Sequence, residues 1–131
     1  MKIYLHAKCL RRLLMVVAVL SCAIVGCDRS ARSLSLNQPK AREACHEFLT
    51  AWKNGKQVAD LKPKIIGRDS DWETGKKLES FEILAGERSD GPNLHLTVRQ
   101  TLKDAAGKEI QQEVAYVVGT SPVVTVFRSD E

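Results

Sequence analysis

The chain has 131 residues, a length that allows one domain core and no more. Its formal charge of +4 comes from one end, because residues 1–26 hold four basic side chains (Lys2, Lys8, Arg11 and Arg12) and no acid. The rest carries sixteen basic and sixteen acidic residues, and that balance excludes a nucleic-acid binder built on net charge.

The basic residues open a leader with three parts. They form an n-region that stays on the negatively charged cytoplasmic side of a membrane. An uncharged run of thirteen residues follows, from Leu13 to Val25, within the roughly 7–15 expected of a signal h-region. As a helix it would span only about 20 Å at ~1.5 Å per residue, against a hydrocarbon core of ~30 Å, so the run predicts a cleaved leader rather than a permanent transmembrane helix. Asp28 and Arg29 prevent its extension.

The end of this run, Ile24-Val25-Gly26-Cys27, resembles the lipobox of bacterial lipoproteins. The resemblance implies that Cys27 receives a diacylglycerol thioether, that residues 1–26 are removed as the signal peptide, and that the new amino terminus takes a further palmitate-type chain. Acyl chains gain about 0.8 kcal/mol per buried CH₂, and more than one chain anchors stably. The implied place is the bacterial cell envelope, lipid-anchored to a membrane with the domain outside the cytoplasm. Asp28 resembles the inner-membrane retention signal of enteric bacteria. The competing reading is an ordinary secretory leader with an incidental cysteine. With Cys9 and Cys22 removed and Cys27 lipidated, only Cys45 remains, which leaves no intramolecular disulfide and no cysteine-based zinc site.

Residues 27–38 are polar and Ser-rich and read as a lipid-anchored flexible tether. A single small domain is expected over residues 39–131. Its first element is a helix from about Pro39 to Lys53, with Asn37 or Gln38 ahead of the first turn and Asn54-Gly55 as the stop. Ala41, Ala44, Cys45, Phe48, Leu49 and Trp52 fall at three- and four-residue spacing and give it one apolar face. Cys45 lies in that stripe as a small buried hydrophobe. His46 lies beside it with no second ligand at metal-binding spacing, so it reads as a solvated helix residue.

From Lys56 to Lys76 the pattern is broken. Val58, Leu61, Ile65 and Ile66 suggest a short turn and an apolar plug, interrupted by Pro63 and Gly67. Asp69, Asp71 and Glu73 alternate like part of a calcium loop, but the glycine and distal glutamate of an EF-hand are missing from their positions. The stretch therefore reads as a polar connection with Trp72 tucked onto the core. The remainder reads as β: Leu78–Leu84, then Leu94, Leu96, Val98 and Leu102 alternating with polar residues, with Gln100 the exception. A third strand over about Glu109–Val118 sets Ile110, Val114, Tyr116 and Val118 on one face, and a fourth covers Val123–Arg128. Turn signals at Asp90-Gly91-Pro92, Asp104–Gly107 and Gly119–Pro122 link them in succession. The expected fold is α+β: one N-terminal amphipathic helix packed on a curved four-stranded antiparallel meander.

That order of elements, with the Trp-bearing link Asp71-Trp72 to Leu78, is similar to small members of the cystatin-like, ketosteroid-isomerase and nuclear-transport-factor superfamily. The resemblance implies a cone-shaped pocket in enzymatic members, built with additional helices, and sheet-to-sheet homodimers. None of the superfamily's catalytic residues matches by motif. The best case for an enzyme is His95 and Arg99 framing an anionic ligand, with Gln100 on the same strand and Tyr116 on its neighbour. The positions of His95 and Arg99 read as the polar face of a solvated sheet. No His-Glu-x-x-His, phosphate loop or nucleophile elbow is present in the sequence. The expectation is a membrane-tethered, non-enzymatic binding module without cofactor or metal, whose partner is an envelope protein or small ligand and not a nucleic acid. A small-ligand carrier and a cone-pocket enzyme are the alternatives.

Overall fold

The computed structural model describes residues 35–129. The leader, the lipobox, Cys27 and most of the tether lie outside the described residues. Leu36 is half-buried and packs against the core, and the Asn37 N–H donates to Thr120 Oγ1 at 3.0 Å.

Helix α1 covers Gln38–Lys53. Its N-cap is Asn37, whose side-chain oxygen accepts from the Lys40 N–H at 3.0 Å, and Pro39 occupies the first turn, where its missing N–H costs nothing. The helix stops at Asn54, and Gly55 follows with φ +74, a conformation that side chains disfavour. Ala41, Ala44, Cys45, Phe48, Leu49 and Trp52 are buried, as the spacing requires, and Ala51 is buried with them. Burial of Phe48, Leu49 and Trp52 contributes about 1.5–3 kcal/mol each.

A 3₁₀ turn, Val58–Leu61, is followed by strand β1, Ile66–Arg68, and a one-turn helix α2, Ser70–Glu73. Strands β2 (Lys77–Ile83), β3 (Arg88–Asp90), β4 (Asn93–Lys103), β5 (Glu109–Gly119) and β6 (Thr125–Ser129) complete the sheet. Its order is β1-β6-β5-β4-β2, with β3 also pairing to β4. The meander β2-β4-β5-β6 is antiparallel throughout.

The fold is therefore α+β, with one main helix on a curled mixed sheet, and the expectation of a purely four-stranded antiparallel sheet is corrected. β1 runs parallel to β6, Ile66 opposite Thr125 and Arg68 opposite Phe127, and β3 forms a tight hairpin with β4. Both extra strands have three residues, too few to carry a period. In β1 the glycine is where it is for space. A Cβ on Gly67 would lie 2.3 Å from the Phe48 ring and 2.8 Å from the Val126 carbonyl oxygen.

Along β4, Leu94, Leu96, Val98, Gln100 and Leu102 face α1, and His95, Thr97 and Arg99 face away. Val114, Tyr116 and Val118 of β5 and Val126 of β6 join the inner layer. Aromatic rings tie the helix to α2: Trp52 stacks on Trp72 at 5.6 Å and 6°, and Phe48 meets Trp72 edge-on at 5.0 Å. Each indole N–H is satisfied by a backbone carbonyl, Trp52 at Lys76 and Trp72 at Lys56.

Candidate functional site

The residues best placed for chemistry in the sequence are divided by the sheet. His95 and Arg99 sit on the outer face. Arg99 bonds Glu113 at 3.0 Å and Glu82 at 3.1 Å, and His95 Nε2 lies 3.8 Å from Asp90. Gln100 and Tyr116 point inward and are fully buried. Gln100, the exception in the alternation of β4, takes the inward place that its phase requires, and the side chain is polar because it has polar partners there.

Those partners come from the stretch read as a polar connection. Asp69 caps α2, accepting at Oδ1 from the N–H groups of Asp71 (2.8 Å) and Trp72 (3.1 Å). Its other oxygen accepts from the Tyr116 hydroxyl, which in turn accepts from Gln100 Nε2 at 2.8 Å. Gln112 Nε2 donates to Gln100 Oε1 at 3.2 Å and to Asp71 Oδ2 at 2.8 Å. Asp71 also accepts from Lys76 Nζ at 2.5 Å and from Arg128. Asp69 is completely buried and Asp71 nearly so, so each carboxylate needs these donors to offset its desolvation.

The electrostatics follow from that wiring. Burial pushes the Asp71 carboxyl up, but donation from Lys76, Gln112 and Arg128, with the charge of Arg128, outweighs it and holds the group at about 2. Burial raises the Tyr116 hydroxyl, and the adjacent Asp69 charge and its hydrogen bond raise it further against the Gln100 donor, so the phenol stays protonated. Among the described residues no buried side-chain nitrogen or oxygen lacks a partner. The network thus fixes α2 to the inner face of the sheet and leaves none of these groups turned toward a ligand.

Asp69, Asp71 and Glu73 do not converge as in a calcium loop. Asp69 and Asp71 serve the network, and Glu73 bonds Arg68 at 3.2 Å. Among the described residues no group of three or more His, Cys, Asp and Glu is arranged to hold a metal ion. Cys45 is buried, and burial pushes its thiol up to about 12.

Open concavities lie elsewhere: one of about 310 Å³ is lined by Lys40, Glu43, Ala44, Glu47, Lys64, Ile65 and Val124, and two more lie along the cleft between α1 and strand β2. One part, about 660 Å³, is lined by Arg42, Glu43 and His46 of α1 and by residues 83–87. A second part, about 470 Å³, is lined by His46, Thr50, Lys53, Asn54, Ser80, Phe81 and Ile83. The two adjoin, with His46 and Ile83 in the lining of both, and together are termed the groove. His46 is exposed as expected and sets its ring edge-on to Phe81 at 5.3 Å. Arg42 bonds both carboxylate oxygens of Glu87 and ties the helix to the loop after β2 at one end of the groove. Sequence reading missed this site because its walls are side chains of two elements whose relative placement no local period encodes.

Comparison of the chain with protein-family models, with curated proteins and with solved structures returns no match.

Proposed function

We propose that the chain is a lipoprotein of the bacterial cell envelope, anchored through lipid on Cys27, whose domain is a non-enzymatic binding module. The observation that carries the binding reading is how the polar groups are distributed. The side chains with chemical potential inside the domain, Asp69, Tyr116, Gln100, Gln112 and Asp71, are bonded to one another, while the accessible concavity beside α1 is walled by a helix and a sheet edge. A surface of that kind suits recognition of a partner more than bond-making.

The anchor reading rests on the basic n-region, the thirteen-residue apolar run and Ile24-Val25-Gly26-Cys27. Asp28 favours retention at the inner membrane. One helix on a curled sheet is compatible with membership of the cystatin-like superfamily, whose sheet-to-sheet pairing makes a homodimer part of the proposal. A small-ligand carrier has less support, since the inner face of the sheet is filled by Leu94, Leu96, Val98, Tyr116 and the polar network. A cone-pocket enzyme of the same superfamily meets the same filled interior.

Intact mass of the detergent-extracted protein, beside a Cys27→Ala variant, tests the anchor. The expected mass is residues 27–131 plus lipid, with the lipid absent in the variant. An unmodified mass, cut or uncut, refutes the lipoprotein reading. Photo-crosslinking residues placed at His46 and at Thr97 in the living cell test the module, because partner adducts are expected at one of these surfaces and their absence at both refutes binding.

A further inference from the structure

We infer that the groove between α1 and β2 receives an extended peptide strand of a partner protein, added to the edge of β2, with an acidic residue of that peptide beside Lys53. The inference rests on the binding-module reading and specifies its partner chemistry.

The first argument is the hydrogen-bonding phase of β2. Leu84 donates its N–H to the Thr97 carbonyl at 2.8 Å. Antiparallel bonds alternate along a strand, and the register runs Glu82 to Arg99 and Ser80 to Thr101. Ser80, Glu82 and Leu84 therefore turn their backbone groups toward β4. Phe81 and Ile83 turn theirs outward, where the sheet order places no further strand among the described residues. The side chains of Phe81 and Ile83 line the groove. Backbone donors and acceptors thus coincide with an apolar floor, which is what a strand carrying alternate apolar residues recognises.

The second argument is selection between edges. The opposite edge, β1, has three residues, and short edges resist strand addition. In β2 the register shift between Leu78 and Ser80 bends the strand and disfavours addition along its first half. Ser80–Ile83 is the regular stretch left. From Arg42 to Asn54 the groove follows twelve helical steps, about 18 Å at ~1.5 Å each, a length that holds five or six extended residues at ~3.3 Å each.

The third argument is charge. At one end Arg42 and Glu87 neutralise each other and Glu43 leaves one formal negative charge, which disfavours an acidic residue there. At the other the lining is His46, Thr50, Lys53, Asn54, Ser80, Phe81 and Ile83, with one formal positive charge and no carboxylate. The acids of β2 itself lie near basic partners on β4, Glu82 at 3.1 Å from Arg99 and Glu79 at 4.0 Å from Lys103. An acidic residue on the incoming strand complements Lys53.

The test uses the detergent-extracted protein and a library of hexapeptides with alternate positions fixed as apolar, made in two sets, one ending in glutamate and one in lysine. Glutamate-ended peptides are expected to bind and to slow amide hydrogen exchange at Phe81 and Ile83. N-methylation of a peptide amide that bonds β2 should weaken binding roughly tenfold, the equivalent of about 1.4 kcal/mol, and methylation of its neighbour should change it less than about twofold. Lys53→Glu should reverse the preference between the two sets. Three outcomes overturn the proposal: no peptide binds, bound peptide leaves exchange at Phe81 and Ile83 unchanged, or the peptide-free protein is a dimer that already protects Phe81 and Ile83. The crosslinkers separate the two levels, since adducts at Thr97 without His46 sink the groove and spare the binding module, whereas none at either position sinks both.

Discussion

Replacing Asp71 by Asn removes one charge from the network while keeping its shape, and the structure sets the size and pH range of the effect. The carboxyl drops from its ordinary 3.8 to about 2 in the fold. At 1.36 kcal/mol per unit, that difference makes the ionised form worth about 2–3 kcal/mol to the folded chain. The pKa is depressed, so the contribution is fully present above 3.8 and is lost as pH falls toward 2, because the unfolded chain takes up the proton first. Denaturant unfolding followed by tryptophan fluorescence, which reports the stacked Trp52 and Trp72, measures it. Asp71→Asn is expected to lie about 2–3 kcal/mol below the parent at neutral pH, with roughly half that gap near pH 3 and a few tenths near pH 2. A gap that stays constant from neutral pH to 2 would refute the reasoning, since the three donors would then not favour the charge.

Two other variants and one labelling experiment probe the same interior. Tyr116→Phe deprives Asp69 of a donor and Gln100 of an acceptor, and a loss of about 1–3 kcal/mol is expected, which calorimetry should register as a fall in Tm of roughly 5–20 °C. Gly67→Ala drives a methyl against the Phe48 ring and the Val126 carbonyl, and a destabilisation of about 1–3 kcal/mol by denaturant titration is expected. Cys45, with its thiol pushed up to about 12, should resist an aromatic disulfide reagent at pH 8 in a chain from residue 27 bearing Cys27→Ala, and react fully once urea unfolds it.

Much of this architecture was legible because it repeats. Seven buried positions of α1 share one helical stripe, and Leu94, Leu96, Val98 and Leu102 alternate with polar residues, so helix, long strands and turns all announce themselves locally. β1 and β3 do not, because three residues hold barely one repeat and their partners lie at β6 and β4. The polar network was visible only as an irregularity. Gln100 breaks the apolar series at an inward position, and Gln112 and Arg128 do the same on β5 and β6 beside Val114 and Val126. A polar residue at a buried sheet position demands a buried partner, so these three could have pointed to a carboxylate in the unassigned stretch. What they could not reveal is which one, because Asp69, Asp71 and Glu73 alternate equally and only the N-cap of α2 turns the first two inward.

The same network bears on where the domain can act. A curled sheet closed on one side by a single helix offers a ligand, among other places, the interior between helix and sheet and the rim where the helix leaves the β2 edge uncovered. Asp69, Gln100, Gln112 and Tyr116 bond one another in the first, and opening it would strand a buried carboxylate and a tyrosine hydroxyl at a cost of about 1–3 kcal/mol each. The rim carries no such penalty. Phe81 and Ile83 there turn their backbone groups to a side with no further strand among the described residues, so an incoming strand could bond them without breaking a contact inside the domain. Energetic resistance inside and low resistance at the edge are the reasons for proposing β2, beside the Arg42–Glu87 pair, as the recognition edge.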